Sequence, residues 1–164
     1  MPIPRAELVD YSNPGLYHCV SRCVRRAHLC GGPDGAFEHR RDWLEKRLRE
    51  LAAIFAIDVV AYAVMQNHVH VLLWTDPERA SGWTAEEVAR RWLTLMPRSV
   101  PRGVRFEQAA TSLAGDSKRI ELLRRRLSDI GWLHRCFKEP LARLANKEDD
   151  CSGAFWEGRY KSYR

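Results

Sequence analysis

Apolar and polar residues recur along this chain with two periods, one typical of strands and one of helices. Residues 16–26 alternate loosely and predict a first strand with Tyr17, Cys19 and Ser21 on one face. Residues 59–74, VVAYAVMQNHVHVLLW, contain no Gly or Pro and are rich in β-branched and aromatic residues. They predict one extended central strand.

Helical spacing appears in the stretches between and after these strands. Residues 37–56 predict a helix, because their leucines recur at intervals of three and four. Thr84 and Glu87 form a capping box that predicts a second helix ending near Met96, followed by a loop over residues 97–103. Residues 116–138 have the longest helical pattern, and Pro140 suits the first turn of a separate short helix over 141–146.

The order of these elements predicts the fold class. A strand, a helix, a strand, an inserted block over residues 76–115, two helices and a final strand from Phe155 onward indicate an α+β protein. An antiparallel sheet with helices on one face would bury the apolar stripes most economically.

Length and composition are those of one ordinary globular domain. The chain has 164 residues, of which 45% are hydrophobic and 29% charged. The longest uninterrupted apolar run, residues 59–65, is far shorter than the roughly 20 residues that cross a bilayer. No secretory signal is visible near Met1, so we expect a cytoplasmic protein without a membrane partner. The five cysteines fit no disulfide or zinc framework and are expected to be reduced packing residues.

Basic residues are concentrated on either side of the central strand. The formal net charge is +6, and residues 16–31 contain arginines but no acidic residue. In the last eleven residues, basic side chains interleave with tyrosines, a mixture that suits a single strand of nucleic acid. A solvated basic face and an amphipathic edge strand are the alternatives. The candidate DNA-binding residues are Arg22, Arg25, Arg26, Arg159, Lys161 and Arg164.

His68 and His70 are the candidate metal ligands. Residues two apart on a strand share a face with their Cα atoms about 7 Å apart, so both imidazoles could bind one divalent ion. They could equally line the wet face of an antiparallel sheet. Asn67 could orient a ligand. His18 is expected to be a surface histidine that joins the site only if the two strands are neighbours, and His134 a packed residue.

Two segments resemble a known family. AYAVMQNHVHVLLW resembles the His-hydrophobic-His (HUH) segment of single-tyrosine transposases, in particular the REP-associated tyrosine transposases. WLHRCFKEPLARLANKEDDCSGAFWEGRYKS is similar to later segments of the same group, in the same order. The resemblance implies a ferredoxin-like, RRM-like core and an endonuclease that acts on single-stranded or hairpin DNA during transposition and recombination.

The resemblance also implies a mechanism. Mg²⁺ or Mn²⁺, held by His68, His70 and a third polar ligand, would orient the scissile phosphate while a tyrosine forms a 5′-phosphotyrosine. It further implies a homodimer. In the family the tyrosine lies on a helix after the Phe-Trp-Glu-Gly-Arg segment, and this sequence ends at Arg164 without that helix. Tyr160 and Tyr163 are the remaining candidates. Two alternatives are a non-catalytic nucleic-acid-binding relic and a metal-dependent phosphodiesterase.

Overall fold

The computed structural model describes residues 9–24 and 28–164. Its sheet has four strands, β1 (Gly15–Arg22), β2 (Ile57–Val64), β3 (His68–Thr75) and β4 (Lys161–Tyr163). The α-helices of the described residues are α1 (His39–Ile54), α2 (Pro77–Ser81), α3 (Ala85–Leu95), α4 (Phe106–Ala114), α5 (Ser117–Leu127) and α6 (Ile130–Glu148).

The sheet is antiparallel throughout, with the strand order β2-β3-β1-β4. Helix α1 connects β1 to β2, a tight turn connects β2 to β3, and helices connect β3 to β4. This connectivity and strand order are those of a ferredoxin-like sheet. The predicted α+β class is therefore confirmed.

One face of the sheet lies in the hydrophobic core. Tyr17 and Cys19 of β1 are fully buried, as are Val69, Val71 and Leu73 of β3, and they belong to the same core as the apolar stripes of α1 and α6. The alternation predicted for both strands is therefore confirmed. The opposite face carries the histidines.

The prediction of one continuous strand over residues 59–74 is wrong. The chain reverses between Val64 and His68, and the Met65 N–H donates to the His68 carbonyl at 2.8 Å. The carbonyls of the turn are satisfied from a loop distant in sequence: Cys23 N–H donates to Asn67 and Leu29 N–H donates to Gln66. The turn needs no Gly, because none of residues 64–68 has a positive φ, and so it leaves no Gly or Pro signal in the sequence.

The prediction of one helix over residues 116–138 is also wrong. Helix α5 ends at Leu127, and Asp129 caps the start of α6 by accepting from the Trp132 N–H at 2.7 Å. The separate helix predicted after Pro140 is part of α6, which continues through the proline. Proline removes the bond to the carbonyl four residues earlier. That carbonyl, on Cys136, accepts from Arg47 Nε of α1 at 3.1 Å, which replaces the lost bond.

Residues 76–115 form three helices, α2, α3 and α4, on the helical side of the molecule. The predicted cap of α3 is confirmed, since Glu87 N–H donates to Thr84 Oγ1 at 3.2 Å. Helix α3 contacts α1 and α5, and α4 contacts α3 and α5. The sequence pattern missed α4 as a separate helix.

The five cysteines are free thiols, as predicted, and four of them are buried. Burial raises the pKa of the Cys23 thiol to about 12, so that thiol stays protonated at neutral pH. Across residues 9–24 and 28–164, no helix combines the length and apolar character needed to cross a membrane.

Candidate nucleic-acid interface and metal site

The face of the sheet opposite the core, which we call the open face, carries rings and cations in rows that cross the strands. Its side chains come from alternate positions of β1, β3 and β4, which the strand register brings side by side. The rows are Arg22–His68, Lys161–Val20–His70 and Tyr163–His18–Leu72.

His68 and His70 lie together on this face, as their spacing predicted. Their ring centroids are 4.9 Å apart and the ring planes are inclined by 69°. Both side chains are half-buried, because the neighbouring strands screen the flanks of the rings. Two imidazoles at this separation can present one nitrogen each to a common cation.

A hydrogen bond fixes which nitrogen His68 presents. Its Nδ1 lies 2.7 Å from Oδ1 of Asn67, and a carbonyl oxygen can only accept. The proton therefore sits on Nδ1, and Nε2 keeps its lone pair. Such a carbonyl partner on the far nitrogen is the usual support of a metal-binding histidine. The turn that carries Asn67 is held by the Cys23 N–H described above.

His18 supports His70 in the corresponding way. Nε2 of His18 and Nδ1 of His70 are 2.8 Å apart, and the two rings are inclined by only 14°. When His70 donates in this bond, its Nε2 is left as the nitrogen available to a ligand. The expectation that His18 is an ordinary surface histidine is wrong, because β1 lies directly beside β3. His18 pairs with Leu72, which is two residues from His70 on the same face of β3.

The surroundings of His68 favour its neutral form. Desolvation lowers the pKa of His68 below its ordinary value, and the charges of Arg22 and His70 lower it further. A neutral imidazole retains the lone pair that a metal ion requires. The lowered pKa of His68 thus extends the pH range of the metal-binding form toward lower pH.

Among the described residues, two imidazoles could serve as ligands of one metal ion. Within residues 9–24 and 28–164, no group of three or more His, Cys, Asp or Glu side chains is arranged to hold one ion. Nε2 of His18 is occupied by its bond to His70. Two imidazole donors suit Mn²⁺ or a later transition metal better than Mg²⁺, which prefers oxygen ligands. The donor set fits a divalent ion that takes its remaining ligands from water or bound phosphate.

The two candidate tyrosines lie in different environments. Tyr163 is on the open face, with 56% of its surface exposed and its ring centroid 6.1 Å from that of His18. Tyr160 is only 6% exposed and packs face to face on buried His134, with centroids 3.8 Å apart. His134 is thus a packed residue, as predicted. Of the two tyrosines, Tyr163 is the one whose hydroxyl an extended ligand could reach.

The structure separates the predicted DNA-binding residues. Arg22 and Lys161 are exposed on the open face beside the histidines. Arg164 is paired with Asp10 at 3.3 Å, and Arg159 lines a cleft beside α6. The remaining two predicted positions, Arg25 and Arg26, lie outside the described residues.

Two residues of the open face were missed by sequence reasoning. Trp74 is 38% exposed and pairs across the strands with Leu16, which is 43% exposed. They extend the ring-bearing surface beyond the histidines. The alternation of β3 already places Trp74 on the face of His68 and His70, so that signal was present in the sequence.

No protein-family model matches this chain, and no curated protein sequence matches it. It is similar to a crystal structure described as a "putative transposase" from Deinococcus radiodurans R1, with a TM-score of 0.43 and 18% sequence identity. That similarity covers 95% of this chain and 82% of the other. A likeness at this level establishes no function for this chain.

Proposed function

We propose that this protein binds single-stranded DNA on the open face and cleaves it with the help of a divalent metal ion at His68 and His70. One observation carries the proposal: the two histidines share a face of the sheet with Tyr163 and with two exposed cations, Arg22 and Lys161. No described helix covers that face. The resemblance of the histidine segment to single-tyrosine transposases supports the same assignment.

The open face has the chemistry of a platform for unpaired bases. Tyr163, Trp74 and His18 offer rings on which bases can stack, while Arg22 and Lys161 offer charge to the phosphates between them. The spacing of adjacent strands, about 4.8 Å, places these groups within the reach of successive nucleotides. A strand lying across β4, β1 and β3 would bring one phosphate to the histidine pair.

The chain's own residues orient and cleave that phosphate. When bound, the metal ion supplies Lewis acidity to the phosphate oxygens. Asn67 and His18 hold the two ligand rings with Nε2 directed outward. The hydroxyl oxygen of Tyr163 forms the new bond to phosphorus, the P–O3′ bond breaks, and the tyrosyl proton ends on the departing 3′ oxygen. The products are a 5′-phosphotyrosine and a free 3′-OH, so the bond energy is kept for rejoining.

Metal binding is tested by titrating Mn²⁺ into the protein in a calorimeter. His68→Ala and His70→Ala should abolish binding, whereas His39→Ala, which removes an exposed histidine of α1, should leave it unchanged. Equal Mn²⁺ affinity in the wild-type protein and the His68→Ala/His70→Ala double variant would exclude this metal site.

Cleavage is tested with a labelled single-stranded oligonucleotide and Mn²⁺, by searching for a covalent protein–DNA adduct on a denaturing gel. Tyr163→Phe should remove the adduct, and Tyr62→Phe, at another exposed tyrosine, should keep it. Cleaved product without an adduct, unchanged in Tyr163→Phe, would favour a hydrolytic phosphodiesterase instead. Binding without cleavage would favour a non-catalytic nucleic-acid-binding protein.

A further inference from the structure

The helical side of the molecule carries a second concentration of basic residues, in the loop between α3 and α4. Residues 97–105, PRSVPRGVR, contain three arginines and no acidic residue. All three arginines, Arg98, Arg102 and Arg105, are exposed. Most arginines of the described chain have a carboxylate within 4.0 Å, but these three have none among the described residues. Their charge is therefore not neutralised locally.

The loop between α3 and α4 is ordered by its own backbone. Ser99 N–H donates to Met96 at 2.8 Å, and Val104 N–H donates to Pro101 at 3.1 Å. The second bond closes a tight turn in which Gly103 has a φ of +83°, a conformation that favours glycine. Val100 packs against the core and anchors the loop. Arg102 is consequently displayed at the tip of a turn that is formed before any ligand binds.

A basic cleft continues from this loop between α1, α3 and α6. It has a volume of about 340 Å³, and its lining includes Met96 and Ser99 of the loop together with Arg47, Arg135 and Arg143. Its acidic lining residue, Glu139, is shared by Arg135 at 3.4 Å and Arg143 at 3.3 Å. One carboxylate thus faces two guanidinium groups, while Arg47 pairs with Glu50 at 2.9 Å, and the cleft keeps an excess of positive charge.

We propose that this loop and cleft form a second DNA-binding surface, which takes the phosphate backbone of duplex DNA. Guanidinium groups without a carboxylate partner are suited to phosphates, which they contact irrespective of base sequence. Residues 97–105 contain no aromatic residue, in contrast to the open face with its histidines, Trp74 and Tyr163. The two rings that line the cleft, Trp92 and Trp132, pack against each other with centroids 5.6 Å apart, and the guanidinium groups of Arg126 and Arg135 lie over Trp132. A charged surface whose rings are already covered suits a helix whose bases are already stacked, whereas the open face suits unpaired bases.

The proposal is tested with a matched pair of double variants. Arg98→Gln/Arg102→Gln removes two unpaired charges from the loop. Arg49→Gln/Arg125→Gln removes the same charge from exposed arginines that pair with Glu45 and Glu121. Affinity for a blunt-ended DNA duplex is measured by fluorescence anisotropy over a range of salt concentrations. The slope of log K against log salt should become shallower by about 2 in the loop variant, since each lost phosphate contact contributes about 0.9, and should not change in the control.

Further arms separate this surface from the open face. Single-stranded DNA should bind the loop variant as it binds the wild-type protein, and wild-type protein saturated with single-stranded DNA should still bind duplex. Phe106→Ala, which removes the ring next to the loop, should leave duplex binding unchanged. Equal salt slopes in the two double variants would overturn the proposal. It would also be overturned if the wild-type protein bound no duplex but bound anionic phosphatidylserine vesicles. Either result would leave the function proposed for the open face intact.

Discussion

The two faces of the sheet are built from the same strands but have opposite properties. In β3, Val69, Val71 and Leu73 are at most 1% exposed, while His68 and His70, at alternate positions, are half-buried and polar. In β1 the same alternation separates the core residues from the residues of the open face. Stability is therefore concentrated on one face and candidate chemistry on the other, and substitutions on the two faces should have separable effects.

The largest difference in the free energy of unfolding is expected between alanine variants of two neighbouring leucines of β3. Leu73→Ala removes a fully buried side chain and should lower the free energy of unfolding by about 2–5 kcal/mol. Leu72→Ala makes the same chemical change on the open face, where the side chain is half-buried, and should cost about 1 kcal/mol or less. Urea denaturation of both variants measures the contrast. Similar losses would mean that the open face is also covered.

A smaller effect is expected at Asn67, which orients His68 without belonging to the core. Asn67→Ala removes the acceptor from Nδ1 of His68, and the loss of such a partner typically lowers metal affinity by about 10–100-fold. Mn²⁺ calorimetry measures the change, and Gln66→Ala in the same turn is the control. The free energy of unfolding should change by about 1 kcal/mol at most. Unchanged Mn²⁺ affinity in Asn67→Ala would show that the hydrogen bond does not prepare the site.

The smallest effect is the pH dependence that His68 contributes to stability. Its pKa is lower in the folded protein than in the unfolded chain, so on acidification the unfolded chain takes up the proton first. The contribution is absent above about pH 6.5, the ordinary pKa of histidine, and stability is lost as the pH falls from there through the folded-state pKa. The urea midpoint should therefore fall less between neutral and mildly acidic pH in His68→Gln than in the wild-type protein. An identical pH dependence in both proteins would contradict this assignment.

Sequence reasoning predicted which side chains share a face of the sheet better than it predicted the boundaries of the elements. The shared face of His68 and His70 and the burial of Val69, Val71 and Leu73 follow from the alternation of a strand. The reversal after Val64 was missed because residues 65–67 contain neither Gly nor Pro. None of these residues has a positive φ, so the turn does not require glycine, and donors from Cys23 and Leu29 add to its local Met65–His68 bond.

Two helix boundaries were also missed, for different reasons. Pro140 normally marks the start of a helix, but α6 runs through it because Arg47 of α1 satisfies the carbonyl that the proline leaves free. Conversely, the break after Leu127 is made by the Asp129 cap within an unbroken apolar pattern. In the first case a contact across the fold allowed the helix to continue, and in the second a local cap interrupted a pattern that was also compatible with one long helix.

The sequence by itself determined which side chains share a face of each strand, because the alternation is a property of the backbone of a single strand. Only the tertiary structure decided which strands are neighbours. The pairing of β1 with β3 and β4 places His18 beside His70 and Tyr163, residues 52 and 145 positions away along the chain. That pairing depends on non-local hydrogen bonds and on a core shared by all the elements, and neither is encoded in the period of any one segment.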